Sequence, residues 1–435
     1  MNLQRTPTGR KRRRGMIAVL VLLSLAVLVG VAAIALDGGM ALAERRRAQD
    51  VADAAALAAA ADLFAHYQTN HGQDVNGTAA ASARSIAAAN GYSNDGTRST
   101  VTVRVSPAPP VQGDPTITDS SGNLKPGYVE VTVQYNEPRF FSALWGQGTI
   151  PLQARAVARG TWSVVVAGIM LLDPSSSGAL TANGNGSFTV TGASVVVNSI
   201  DPGGAIASGG ATVTAPAFYF AGTPGESTSG GGQFNGTMQS SATPTPDPLA
   251  YLPPPDPSSL SLQSSQPLKI SGSQPVTINP GLYVGGIQIS GPGGVTLQPG
   301  IYYMQGGGFS TSGQGAVTGN GVMIYNAPLT KTDSINLSGQ GATTITPMTT
   351  GLYQGLSFFQ DRTSTVPLSI TGNGNLNISG TFYAASASVK ITGNGSGEVV
   401  GSQYISFGLT LGGNGSLSIS WNGSTARTRR IGLVE

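Results

Sequence analysis

Cysteine is absent from the 435 residues, histidine occurs twice, and charged residues make up 10% of the chain, against about 25% in an ordinary globular protein. Without cysteine there is no disulfide framework, no thiol nucleophile and no thiolate metal site. The two histidines, His66 and His71, stand near the end of a helical pattern with no carboxylate or thiol cluster beside them, so they read as surface residues rather than a metal pair. Of the 23 Lys and Arg, 16 fall within residues 1–160. The rest of the chain therefore has no basic patch for a phosphate backbone, and no nucleic-acid partner is expected.

Against this poverty stands one long apolar run. Residues 16–36 carry no charge and are mostly Leu, Val, Ala and Ile, interrupted by Ser24 and Gly30. At a rise of about 1.5 Å per residue they cover roughly 30 Å, the hydrocarbon thickness of a bilayer. With no ionisable group inside it, the run reads as an anchor rather than an ion path. Six basic residues between Arg5 and Arg14 precede it and three, Arg45 to Arg47, come after it. That asymmetry predicts a cytoplasmic N-terminus and an exported remainder. A cleaved signal peptide, with Ala33-Ile34-Ala35 as cleavage site, is the competing reading, but its apolar core would run only about 7 to 15 residues.

Arg13-Arg14-Gly15 before the span, Leu36-Asp37-Gly38-Gly39 after it, and the run from Arg45 to Ala60 (RRRAQDVADAAALAAA) resemble the N-terminal region of TadG-like proteins of bacterial Flp-pilus, or tight-adherence, systems. The segments Tyr128 to Val133, Phe140 to Gly146 and Ala154 to Ala158 resemble the region C-terminal to the helix in TadE- and TadG-like pseudopilins. The resemblance implies assembly or structure in a Tad/Flp pilus or related export system, with association through the N-terminal helix. Pilin-type precursors carry Glu five residues past the processing glycine, and Leu20 stands there when Gly15 is counted as that glycine. Full-length relatives also tend to carry a von Willebrand A domain, which the downstream pattern here lacks.

Beyond the span, Met40 to about Tyr67 is rich in alanine, the strongest helix former. Ala41, Ala48 and Ala55 share one heptad position and Val51, Ala58 and Ala65 another. Such small residues suit close packing, either on a partner or on the chain's own domain. A second helix is expected over Asp74 to Asn90, stopped by Asn90-Gly91. Strands are expected around Val101 to Val105, Val129 to Val133 and Ile150 to Ala158, with a loop over Pro107 to Gly127 and a short helix over Phe140 to Trp145.

From Trp162 the chain becomes short Val/Ile/Leu/Thr runs between Gly, Asn and Ser. Asn279-Pro280-Gly281-Leu282-Tyr283 recurs as Gln298-Pro299-Gly300-Ile301-Tyr302, and Thr371-Gly372-Asn373-Gly374 as Thr392-Gly393-Asn394-Gly395 and then Gly412-Gly413-Asn414-Gly415. A period of about 20 residues with turn residues at the corners predicts a stacked solenoid. The Pro/Gly/Ser-rich stretch 221–267 breaks the pattern, as a loop out of the stack or a seam between two blocks.

The expected fold is mainly β: a basic cytoplasmic arm (1–15), a transmembrane helix (16–36), a pseudopilin-like α+β region (37–160), a parallel β-helix or solenoid (161–425) interrupted at 221–267, and a tail (426–435). Asp173-Pro174-Ser175-Ser176-Ser177 matches a metal-ion-dependent adhesion site in spacing, with oxygens suited to Mg²⁺, but without the helices such a domain needs it reads as a turn. After residue 160 the carboxylates are Asp173, Asp201, Asp247, Asp256, Asp333 and Asp361 with Glu226, Glu398 and Glu435, none within three positions of another. A polysaccharide-cleaving pair would have to assemble across coils. The expectation is no catalytic, cofactor or metal residues and no enzymatic activity. Tyr283, Tyr302, Tyr303, Phe358, Phe359, Tyr383 and Tyr404 are expected as ladders inside the coils rather than an outer strip. The functional expectation is a single-pass bacterial inner-membrane protein, its bulk periplasmic or extracellular, acting in pilus assembly by contact with other Tad components, with a glycan or cell-surface ligand open for the solenoid. A β-helical carbohydrate-active enzyme and a secreted surface adhesin are the alternatives.

Overall fold

The computed structural model describes residues 14–144, 146–372, 376–395 and 397–434. All of the basic arm except Arg14 and Gly15, Trp145 of the expected short helix, and Asn373-Gly374 of the repeat lie outside the described residues. The chain forms two units, residues 1–162 with 430–435, and residues 163–429.

The first unit is built on one helix, α1 (Arg14–Ala65), 52 residues long and therefore about 78 Å from end to end. Its C-terminal part is dense in alanine and carries a buried stripe: Ala48, Val51, Ala52, Ala55, Ala56, Ala59, Ala60 and Leu63. That alternation of three and four residues is one face of an α-helix. The stripe packs on α3 (Thr78–Ala89), which comes after a single turn, α2 (Tyr67–Asn70), and on a sheet of β1 (Ser99–Val105), β2 (Tyr128–Pro138) and β3 (Thr149–Val164). The sheet is antiparallel in the order β1-β2-β3, with Val101 opposite Val133 and Val131 opposite Ala156. Its fourth strand is Arg427–Leu433, so much of the expected tail is strand. α3 starts four residues later than expected because the Asp74 carboxylate caps it, accepting from the Ala79 and Ala80 N–H at 3.1 and 2.9 Å. Helix and sheet approach so closely that a Cβ on Gly160 would lie 1.7 Å from the Ala60 carbonyl oxygen.

The second unit is a parallel β-solenoid. A typical coil has three short strands, such as Gly300–Gln305, Phe309–Thr311 and Val317–Gly319, paired in register with Val322–Ala327, Ile335–Leu337 and Thr343–Ile345 of the next. Alternate residues point inward, and one inner row runs Tyr302, Ile324, Phe358, Phe382, Tyr404, Ile169, Val195, Phe218. The step from Tyr404 to Ile169 reveals the winding order. The chain enters the stack in its interior at Ala167–Leu171 and coils outward to Gln239. It then crosses to the opposite end and winds back from Leu262 until Ser416–Ser420 lies on Ser187–Thr191.

The crossing segment is the Pro-rich core of the expected interruption. Residues 240–261 contain no strand, whereas Glu226–Thr228, Gln233–Gln239 and Leu262–Ser264, inside the same 221–267 window, do pair in the stack. The segment lies along the outside of the coils as a strap. Leu249 and Leu252 are buried against Tyr325, Phe359, Tyr383 and Ile405, and Arg362 donates to the carbonyls of Leu249 and Leu252, both at 2.9 Å.

Candidate functional site: the long N-terminal helix and its clasp

The two halves of α1 differ in what covers them. Ala48 to Leu63 is built into the first unit, so the alanine stripe is used on the chain's own domain. Over Ile17–Ala65 the helix is long and apolar enough to cross a membrane, and only 6% of its most apolar 18-residue stretch is buried. Leu22, Val27, Leu28 and Ile34 are 64 to 76% exposed. A core helix would have these side chains covered.

Two residues depart from that pattern. Ala33 and Asp37, one turn apart on the same face, are 1% and 5% exposed. Asp37 is the first charge after the apolar run, and its carboxylate grips a loop 105 residues away. It accepts from the backbone N–H of Phe140 (3.3 Å), Phe141 (3.1 Å) and Ser142 (2.8 Å) and from the Ser142 hydroxyl (2.5 Å). The Ser142 hydroxyl, then the backbone donors, hold its carboxyl down from 3.8 to about 2. The loop continues into a single 3-10 turn, Ser142–Leu144, in place of the expected short helix. Its rings are not packed inward: Phe140 is 70% and Phe141 46% exposed, their centroids 6.0 Å apart.

Further up, α1 is tied down by polar contacts. The Tyr92 hydroxyl donates to Glu44 at 2.7 Å, Arg47 donates to the Asn90 carbonyl at 3.0 Å, and Gln49 to the Arg155 carbonyl at 2.8 Å. The fully buried Glu130 accepts from Arg155 at 2.5 Å, lies 3.6 Å from Arg104, and accepts from the Val111 N–H at 2.7 Å. Glu130 thereby fixes the loop after β1 to the sheet.

The other sequence candidates fall in separate places. His66 lies 3.3 Å from Asp62, and His71 takes a left-handed conformation closing α2. Asp173 Oδ1 accepts from the N–H of Ser175 and Ser176 at 3.0 and 2.9 Å, an Asx turn between Ala167–Leu171 and Leu180–Ala182. Burial raises its pKa and those N–H groups lower it, with a net decrease. Among the described residues no three His, Cys, Asp or Glu side chains gather as a metal site. A cleft lined by Thr346, Met348, Gln354, Ser379, Thr425 and Arg427 carries one charged group, the Arg427 guanidinium, and a second is lined by Lys331 and Asp361.

The aromatics divide by parity. Tyr283, Tyr302, Phe358 and Tyr404 line the interior, with Phe358–Phe382 and Phe382–Tyr404 stacked at 4.3 and 4.6 Å. Tyr303, Phe359 and Tyr383 point outward and form a second ladder with Tyr325, at 4.8 to 5.0 Å, beneath the strap. Seven residues expected in one place thus occupy two, because neighbours on a strand face opposite ways.

Helix, clasp and coils together define a β-solenoid protein with one N-terminal helix suited to crossing a membrane. The profile of the putative Flp pilus-assembly TadE/G-like family matches residues 15–62, which lie within α1 and include both its bare and its packed halves. No curated protein and no solved structure shows a significant match to the chain.

Proposed function

We propose that this protein is a single-pass, membrane-anchored structural component of a bacterial Tad/Flp-type pilus assembly, acting by contact rather than by chemistry. The observation that carries the reading is that the bare apolar half of α1 and its packed half are one continuous helix, and that the TadE/G-like match spans both. Residues 1–15 then lie in the cytoplasm, by their excess of basic residues, and everything after the span lies beyond the inner membrane. Association with other pilus components runs through the bare half, residues 17–36, because the alanine stripe above it is already occupied. The solenoid presents Thr-, Ser- and Asn-rich faces suited to contact with other proteins or glycans.

Fractionation of the native host, with N-terminal sequencing of the mature chain and protease shaving of spheroplasts, tests this. The expected result is a carbonate-resistant membrane protein that retains residues 16–36, is cleaved from outside, and co-purifies with Tad components from detergent extracts. A soluble chain beginning near Leu36 would overturn it.

A further inference from the structure

We infer that the Phe140-Phe141 loop is a membrane foot, laying its two rings in the headgroup–acyl boundary of the bilayer where α1 emerges. The inference rests on reading residues 16–36 as a span. Three observations on one face of the helix support it. The loop is pinned to Asp37, the residue directly after the last apolar position of the run, by three backbone N–H groups and the Ser142 hydroxyl. That fixes its level along α1 at the end of the hydrocarbon. Ala33, one turn deeper, is also covered, while Ile34 and Leu36 beside it are 76% and 49% exposed. Ala33 and Asp37 form the one covered stripe on this part of the helix, and the 3-10 turn that touches α1 comes from this loop.

With the backbone held there, the rings turn away from the protein, 70% and 46% exposed, and their apolar surface continues that of the span. Aromatic side chains concentrate at this depth because their apolar bodies leave water while neighbouring polar groups stay in it. Arg139 immediately precedes the pair, its guanidinium 3.5 Å from the Ser142 hydroxyl, so a cation accompanies the rings at the level of lipid phosphates. A protein partner on the same rings would need its own complementary surface at that depth, whereas lipid is present wherever the helix spans.

The absence of native cysteine makes the test clean, since a single introduced cysteine is the only labelling site. Three variants of the full chain, Phe141→Cys, Val75→Cys and Leu28→Cys, are labelled with an environment-sensitive fluorophore and reconstituted into vesicles of phosphatidylethanolamine and phosphatidylglycerol carrying nitroxide lipids. Val75 is 68% exposed and lies between α2 and α3, beside the end of α1 remote from Asp37. The label at 141 is expected to lose about half its emission to nitroxides at the headgroup or upper acyl chain and to resist aqueous iodide. The label at 75 should show the reverse, and the label at 28 should be quenched best by nitroxides deep in the chains. A label at 141 as iodide-accessible as the one at 75 would overturn the foot, as would one shielded from both quenchers, which would indicate a protein cover. If the label at 28 also escapes the deep nitroxides, the span reading itself fails, and the two failures are thereby told apart.

Discussion

Asp37 carries an unusual load for one carboxylate: three backbone N–H groups and a hydroxyl converge on it. Its carboxyl, held at about 2 in the folded chain against 3.8 ordinarily, contributes stability that is complete above about pH 4 and is lost as pH falls toward 2. The Phe140-Phe141 loop should therefore release from α1 in that window while the protein stays docked at neutral pH. Pepsin, which is active there and cleaves beside phenylalanine, reports the release. In detergent-solubilised full chain, cutting at the Phe140-Phe141 bond, normalised to a free peptide of the same sequence, should rise between pH 4 and pH 2. In Asp37→Asn the cutting should be high throughout and flat with pH. A wild-type rate that ignores pH would remove Asp37 as the clasp. The sequence shows Asp37 directly after the span, yet nothing in it pairs that residue with Ser142, because a contact across 105 positions leaves no periodic trace.

Elements were readable where a period existed. The strands of the first unit keep to their alternating valines, and α3 ends at Asn90-Gly91 as its stop signal requires. The alanine stripe was readable as a packing face but not as to its partner, since an alanine face is compatible with either one. The strap was unreadable as an element because it has no period. It holds by an irregular set of contacts: Arg362 donates to two strap carbonyls and to the Tyr383 hydroxyl, each at 2.9 Å, and Tyr383 donates to Asp247 at 2.6 Å. Burial, and after it the bond to Asp247, raises the Tyr383 pKa well beyond its usual range, so the hydroxyl remains a donor at any physiological pH. Arg362→Ala removes the centre of this clasp: the Leu252 carbonyl loses its guanidinium donor, while the Leu249 carbonyl keeps the Leu252 N–H at 3.0 Å. At about 1 to 3 kcal/mol per buried group so orphaned, the strap should open locally well before the coils unfold. Hydrogen exchange read by mass spectrometry should show faster exchange confined to residues 247–256. Exchange spreading evenly over the solenoid would mean that the strap is part of the coils' own cooperative unit.

On the scale of the whole solenoid, the repeat predicts coils but not their spatial order. Spacings of 19 to 21 residues report which coil succeeds which along the chain, and the pairings bear them out at Thr371–Thr392 and Gly393–Gly413, whereas Gly281 lies opposite Tyr302, two residues beyond its repeat counterpart Gly300. They are silent about the first block stacking on the last. A signal for that junction was present: Gly184-Asn185-Gly186 repeats the Gly-Asn-Gly corners of 393–395 and 413–415, and the Asn185 N–H donates to the Gly413 carbonyl at 3.2 Å. The junction is a full coil interface. Tyr404–Ser406 pairs with Ile169–Leu171, Leu409–Leu411 with Leu180–Ala182, and Ser416–Ser420 with Ser187–Thr191. Inside it the buried Gln403 donates to the carbonyls of Val165 and Ala167 at 3.0 and 2.7 Å. Because stacked repeats draw stability from nearest-neighbour interfaces, this junction should hold the two blocks together without a covalent link. A protease site inserted between Ser258 and Ser259, exposed residues at the end of the strap, allows the link to be cut after folding. The two fragments should co-elute in gel filtration at micromolar concentration, held by the junction, the strap's clasp and the final strand of the first unit's sheet. Adding Gln403→Ala takes the side-chain donor from the Ala167 carbonyl and leaves the Val165 carbonyl to the Trp421 indole N–H at 3.1 Å; at about 1 to 3 kcal/mol for a buried group so orphaned, it should make the cut chain dissociate roughly ten-fold faster or more. Fragments that separate immediately without that substitution would show that the covalent link through the strap, rather than these contacts, is what joins the blocks.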